Sequence, residues 1–292
     1  MSEELPATEA LAERPALDAF DIADGLAAIV GMQARAVEAV SGARDSLAAA
    51  AAAAAAAMAK GAIWHTIGAG SSGRIAALDA VELHPTFGLD PRRICVHLAG
   101  GSAAFLGAIE GAEDDATAGA RDLACVNAGD VAIALSASGR APYVIAALRA
   151  ARARGALTIA IADDRDAPLF AEADCAVYLA TGAEPIAGST RLIAGTAQKI
   201  ALNALSTAVM VALGTTYENM MVDLVVTNEK LRDRAERIVM HAVPCRRERA
   251  RELLGEAAGA VKTAIAMAWL DTDVRAAQDA LARNGGRLRG LR

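Results

Sequence analysis

Gly68-Ala69-Gly70-Ser71-Ser72-Gly73-Arg74 decides the fold through what stands on either side of it. The apolar run Ile63-Trp64-His65-Thr66-Ile67 before it suits a buried strand, and Arg74 to Leu83 behind it reads as a helix. Strand, glycine turn and helix in that order bring free backbone N–H groups close to a ligand, and the start of the helix favours an anion. The pattern G-x-G-x-x-G also opens dinucleotide folds, in which an acidic residue at the end of the second strand holds a ribose hydroxyl. Here the second strand, Ile94 to Leu98, ends in Ala99-Gly100-Gly101, and Asp90 stands before it, at the wrong end of the sheet. Ser71 and Ser72 add two hydroxyls to the turn, which suits a phosphate monoester bound at Gly70, Ser71, Ser72 and Gly73.

Outward from this stretch, strands and helices alternate. Val131 to Leu135, Leu157 to Ala162 and Ala176 to Leu179 read as further strands, with helices over Ala103 to Ala124, open to a break at Gly111, and over Pro142 to Arg154. The expected fold is α/β, a parallel five-stranded sheet flanked by helices, with ligands beyond the carboxyl ends of the strands. Two more hydroxyl-rich turns fall at that rim. Ser136-Ala137-Ser138-Gly139-Arg140 precedes the helix at Pro142, and Gly188-Ser189-Thr190-Arg191 precedes a long helix from Gly195 to Leu213. Each alone suits ordinary capping; three at one rim point to a shared anion site.

Upstream, Leu17 to Lys60 has a helical pattern through Ile22, Leu26, Ile29, Val30, Val37 and Val40, followed by the alanine run Ala48 to Ala57. Residues 1 to about 15 are expected to be poorly ordered unless a partner chain pins them. Downstream, Asn228 to Val239, Arg246 to Leu270 and Thr272 to Arg283 read as a small helical domain. The expected division is residues 1–60 as an N-terminal helical segment, 61–226 as the domain that carries the sheet and its phosphate-binding turns, and 227–292 as a C-terminal helical domain.

A net charge of -6 disfavours nucleic acid and acidic membrane surfaces as partners. Cys95, Cys125, Cys175 and Cys245 form no C-x-x-C pair and suit reduced thiols in a cytoplasmic protein, with packing as the first role and a metal site as the weaker alternative. The chain opens on no secretion signal, and its apolar runs read as helices rather than membrane spans.

The chain resembles the sugar isomerase (SIS) domain family and, within it, the N-acetylmuramic acid 6-phosphate etherases. The resemblance rests on Gly68 to Arg74 with Leu78-Asp79-Ala80, Glu110-Gly111-Ala112-Glu113-Asp114, Ser138 to Ala146, Gly195-Thr196-Ala197-Gln198-Lys199, Met221-Val222-Asp223 and Thr227 to Leu231. It implies elimination of D-lactate from carbon 3 of a phosphorylated amino sugar, followed by hydration, with no metal or organic cofactor. It also implies Glu82 as the acid, Glu113 as the base and Glu110 as a sugar contact on the same helical face. Gly70, Ser71, Ser72, Gly73, Ser136, Ala137, Ser138, Gly139, Arg140 and Ser189 are the expected phosphate and sugar contacts.

Glu82 lies ten residues past Ser72, about 15 Å along a helix, too far for one sugar phosphate to span. Unless the helix bends before Pro85, a second subunit supplies Glu82, and a homodimer is expected. This chain departs from the family pattern at Leu83, His84 and Ile193 and in its N-terminal segment. Two rival readings stay open, a sugar-phosphate sensor without turnover and a sugar phosphate isomerase.

Overall fold

The computed structural model describes residues 6–12 and 16–292. Of the leader expected to be poorly ordered, residues 1–5 and 13–15 lie outside the described residues. The rest corrects that expectation: Thr8 is fully buried and its carbonyl accepts a hydrogen bond from Gly188 N at 3.0 Å. The chain forms two compact units, Met1–Ala80 with Arg92–Ser206, and Val81–Pro91 with Thr207–Arg292.

In the first unit three helices precede the sheet: α1 (Ile22–Met32), α2 (Ala34–Gly42) and α3 (Arg44–Met58). The alanine run forms most of α3, and Leu47, Ala50, Ala54 and Met58, spaced by three and four, make its buried face. Small side chains let it lie close on the later strands. The apolar positions of α1 behave differently from a core face. No residue of α1 is buried, and Ile22, Leu26 and Val30 are 92%, 62% and 62% exposed.

Strand β1 (Trp64–Gly68) leads into α4 (Gly70–Phe87), and β2 (Ile94–Leu98) follows. The short helices α5 (Ala103–Leu106) and α6 (Ala116–Asp122) precede β3 (Val131–Leu135), α7 (Pro142–Ala153), β4 (Leu157–Ala162) and β5 (Cys175–Tyr178), and α8 is Ile193–Ala212. All five strands are parallel in the order β2-β1-β3-β4-β5. The chain steps from β1 outward to β2, then returns to the other side of β1 for β3. That reversal opens a crevice at the carboxyl ends of β1 and β3.

One face of the sheet, through Ile67, Ala132, Ala134 and Ala160, packs on Leu123, Val126, Tyr143, Val144, Ala147 and Leu148 from α6, α7 and their connections. Gly119 makes the contact between these helices close: a Cβ there would stand 2.2 Å from the Tyr143 carbonyl oxygen. Within α4 and α8, Asp79 accepts hydrogen bonds from Ser206 Oγ at 3.0 Å and from Asn203 Nδ2. Burial pushes the Asp79 carboxyl up, against the pull of these two donors.

Two expected helices are broken. The segment from 103 to 124 divides because Gly107 is extended and Gly111 is left-handed, with φ 70°. Arg74 reaches the end of α5, its Nε donating to the carbonyl of Ala104 at 3.0 Å and its Nη2 to that of Gly107 at 3.0 Å. The segment from 246 to 270 divides at Ala258 and Gly259, both left-handed.

The second unit holds a two-stranded antiparallel ribbon, β6 (Thr216–Tyr217) and β7 (Met220–Met221), and α9 (Glu229–Ala242), α10 (Arg247–Glu256), α11 (Val261–Leu270) and α12 (Val274–Arg283). Its core gathers Leu224, Val239, Leu253, Val261, Ile265 and Leu281. Among the described residues no single helix is long and apolar enough to cross a membrane.

Candidate active site

The helix α4 starts earlier than its sequence suggests. Gly70 is already its first residue, and Gly73 N makes an early helical bond to Ala69 O at 3.1 Å. Ser71 and Ser72 therefore sit in the first turn rather than in a loop before it. Their backbone N–H groups have no acceptor within the helix and their hydroxyls stand beside them. Gly68 and Gly73 let this happen: a Cβ on Gly68 would lie 2.6 Å from Gly73 N, and one on Gly73 would lie 2.3 Å from Leu98 Cδ1. Gly73 is thus a packing residue that holds helix to strand, not a wall of the site.

These groups open into a cavity of about 440 Å³ at the β1/β3 crevice, lined by Ala69, Gly70, Ser71 and Ser72, by Ser136, Ala137, Ser138 and Arg140, and by Glu113. Glu9, Asp114, Gly188 and Thr190 complete much of the remaining wall. In the second turn Ser136 Oγ accepts from Gly139 N at 3.1 Å, and Ser138 Oγ accepts from Arg140 N at 3.2 Å. Gly139 is left-handed with φ 64° and shapes this bend without lining the cavity. Arg140 is the one cation among the described lining residues. Its Nη2 contacts Asp164 Oδ2 at 3.2 Å, while its Nε is buried without a partner.

The third turn corrects an expectation. The start of α8 does not offer free donors, because the fully buried Glu184 accepts from Ile193 N at 2.8 Å and from Ala194 N at 2.9 Å. The chain supplies its own anion there. Ser189 itself is not on the cavity wall; Gly188 and Thr190 on either side of it are. Ile193, where the family resemblance led to a lysine, is fully buried at this helix start.

Glu113 lies in a 3-10 turn, Ala112–Asp114, set by left-handed Gly111. Glu110 precedes that turn and is exposed, so the expectation that it shares a helical face with Glu113 fails along with the helix. Glu82 is exposed in the C-terminal half of α4 and belongs to the second compact unit. His84 beside it has a structural task, its Nδ1 standing 2.9 Å from the carbonyl of Leu89.

The second unit contains a larger cavity, about 710 Å³, lined by Glu229, Arg232, Asp233, Glu236, Arg247 and Arg251 among others. Its buried carboxylate, Glu236, is already matched by Arg247 at 2.7 Å and Arg251 at 2.8 Å. Those contacts hold it below the usual carboxylate range, Arg251 contributing most. Size alone would favour this cavity, but the smaller one has open helix donors, hydroxyls and a carboxylate converging on one space.

Comparison with known proteins places the chain. The SIS domain family matches residues 110–208, and the family of the glucokinase regulatory protein N-terminal SIS domain matches residues 22–152. An N-acetylmuramic acid 6-phosphate etherase from Deinococcus radiodurans is 50% identical over 266 residues, covering 90% of this chain and 87% of its own. The chain belongs to the N-acetylmuramic acid 6-phosphate etherase family. Further family members from Thermobifida fusca and Cutibacterium acnes are 45% and 42% identical, covering 85% and 97% of this chain and 82% and 92% of their own.

Two residues of this etherase-family chain escape a reading of its sequence. Glu9 reaches the cavity from a leader with no periodic pattern. Glu184 caps a helix nine positions away along the chain, across an irregular loop, so no local capping signal marks it.

Proposed function

We propose that this chain cleaves the D-lactyl ether of N-acetylmuramic acid 6-phosphate, giving N-acetylglucosamine 6-phosphate and D-lactate. Half-identity to an etherase over 90% of the chain carries this reading. The cavity supports it: a phosphate at the α4 N-terminus meets the N–H groups of Ser71 and Ser72, their hydroxyls and that of Ser138, with Arg140 Nε in reserve.

With the phosphate anchored there, the sugar extends toward Glu113. In the open-chain form Glu113 takes the proton from carbon 2, the bond from carbon 3 to the lactyl oxygen breaks, and Glu82 protonates the departing oxygen. Water then adds across the new double bond, its oxygen to carbon 3 and its proton to carbon 2. Ten residues of helix α4 separate Glu82 from Ser72, and a second copy of the chain supplies it. The uncovered apolar stripe Ile22, Leu26 and Val30 on α1 supports such a homodimer. Free thiols at all four cysteines fit a reducing, cytoplasmic setting.

The match to the glucokinase regulatory protein family favours one second reading, a sensor that binds the sugar phosphate without turnover. A single experiment separates them. Glu82→Gln and Glu113→Gln are assayed for D-lactate release, singly and after mixing under conditions that exchange subunits. Each variant alone should be inactive, and mixing should restore about a quarter of wild-type activity, assuming random exchange and independent sites that each need one Glu82 and one Glu113. Sugar phosphate binding with no lactate from the wild type would establish the sensor, and failure of the mixture to recover would place both carboxylates in one subunit.

A further inference from the structure

A second cluster of reactive side chains lies between β1 and the edge strand β2, and none of its members lines the etherase cavity. His65 is fully buried on β1, and in the parallel register it stands opposite Cys95, while Ile67 stands opposite His97. Side chains alternate along a strand, so His65 and His97 rise from the same face of the sheet. Their rings stack at 5.3 Å, with His65 Nδ1 and His97 Nε2 only 3.0 Å apart. Cys125, in the connection between α6 and β3, completes the group, and the three ligand atoms all lie within 4.8 Å of one another.

From this convergence we propose that His65 Nδ1, His97 Nε2 and Cys125 Sγ form a binding site for Zn²⁺. Two imidazoles and a thiolate are the donor set of a borderline-soft ion, and they leave the fourth tetrahedral position to water. Zn–N bonds of about 2.0 Å and a Zn–S bond of about 2.3 Å space the donors roughly 3.3–3.6 Å apart. The two nitrogens are near that spacing, and the sulfur closes on them by rotation of an exposed side chain.

The surroundings match a metal site in a second way. The other nitrogen of His65, Nε2, faces Asp130 Oδ2 at 3.5 Å and has no formed hydrogen bond. Asp130 is itself fixed, accepting from Ile63 N at 2.8 Å and from Asn127 N at 2.8 Å. A carboxylate behind a ligating histidine orients the ring and strengthens it as a donor. Binding moves the proton between the two rings to His97 Nδ1, and Cys125 releases its proton to solvent. Because Cys125 is exposed, the ion has a path in.

His65 stands three residues before Gly68, about 10 Å along the strand from the phosphate turn. The ion therefore ties the connection after α6 to β1 and β2 without entering the catalytic cavity.

The test titrates the metal-free full-length protein with Co²⁺ and then displaces it with Zn²⁺. Wild type should show a thiolate-to-cobalt absorption band that saturates at one ion per chain and is lost on adding Zn²⁺. Cys125→Ser should lose the band and His97→Gln should weaken Co²⁺ binding at least tenfold, while Cys245→Ser, in the other unit, should behave as wild type. Zn²⁺ should also raise the melting temperature of wild type but not of Cys125→Ser. No saturable band in wild type, or a band that survives in Cys125→Ser, would overturn the site.

Discussion

Two helices that start in the first unit, α4 and α8, begin with the same electrostatic problem and resolve it in opposite ways. Each gathers partial positive charge at its N-terminus and leaves backbone donors unsatisfied. At α8 the chain folds its own carboxylate, Glu184, onto Ile193 N and Ala194 N, and the position is closed. At α4, among the described residues, no carboxylate accepts from the first-turn N–H groups; that turn is lined with serines and faces a cavity whose carboxylates, Glu9, Glu113 and Asp114, stand on other walls. A helix start is a ligand site only where the fold withholds its own anion. The two ends share composition in their approach turns, so the difference lies in a contact that spans nine residues at one end and is missing at the other.

The largest effect belongs to the chemistry that the open end positions. Glu113→Gln should lower D-lactate release about a thousandfold while leaving sugar phosphate affinity within a few-fold, since the loss is of proton transfer and not of the anchor. Next is the closed end. Glu184→Ala strands two buried N–H groups and should cost about 3 kcal/mol in denaturant unfolding, with Glu184→Gln recovering part of it by keeping one acceptor. If Glu184→Ala were restored by added phosphate or sulfate, the two helix starts would be interchangeable.

A smaller effect is expected at the open end itself. Ser72→Ala should weaken sugar phosphate binding about tenfold and leave stability nearly unchanged, read by calorimetry and melting. The smallest concerns Asp163, just past β4. It accepts from Gln198 Nε2 at 2.7 Å and Thr181 Oγ1 at 3.3 Å, yet burial, reinforced by Glu184, pushes its carboxyl well above the usual range. A folded pKa above the unfolded one means that the folded state holds the proton more tightly. Stability at this residue therefore improves as pH falls through the raised folded value, down to the ordinary carboxylate range, and is poorest above it. Asp163→Asn should remove that slope and gain about 0.5–1 kcal/mol at neutral pH. The Gln198 amide can turn its unpartnered Oε1 to the new Nδ2.

The sheet was largely legible. The strands Val131–Leu135 and Leu157–Ala162 lie where continuous apolar runs put them, because strands covered on both faces carry little else, and the edge strand Ile94–Leu98, exposed at Val96, follows its own shorter apolar pattern. Helix boundaries were less so. Serine and glycine argue against a helix interior, but at Gly70 to Gly73 they occupy a first turn, where missing internal bonds make those residues acceptable. The expected helix through Glu110 and Glu113 dissolved because Gly107 and Gly111 act together with Arg74, a residue some thirty positions away that takes up the carbonyls of the shortened α5. Of the cavity, the turns after β1 and β3 could be read locally. Glu9 and Glu184 could not, since each acts through the folded neighbourhood alone.

The two tryptophans divide between the halves of the molecule. Trp64 is wholly buried in β1 of the first unit, and Trp269 stands in α11 of the second, its indole N–H donating to Ala242 O at 3.0 Å and its ring edge-on to Tyr217. With one indole in each half, Trp269→Phe leaves a protein whose ultraviolet emission reports the sheet alone, and Trp64→Phe leaves one that reports the helical half. Loss of the two signals at different denaturant concentrations would mean that the halves melt as separate cooperative blocks, so the chain carries a built-in optical gauge of its own cooperativity.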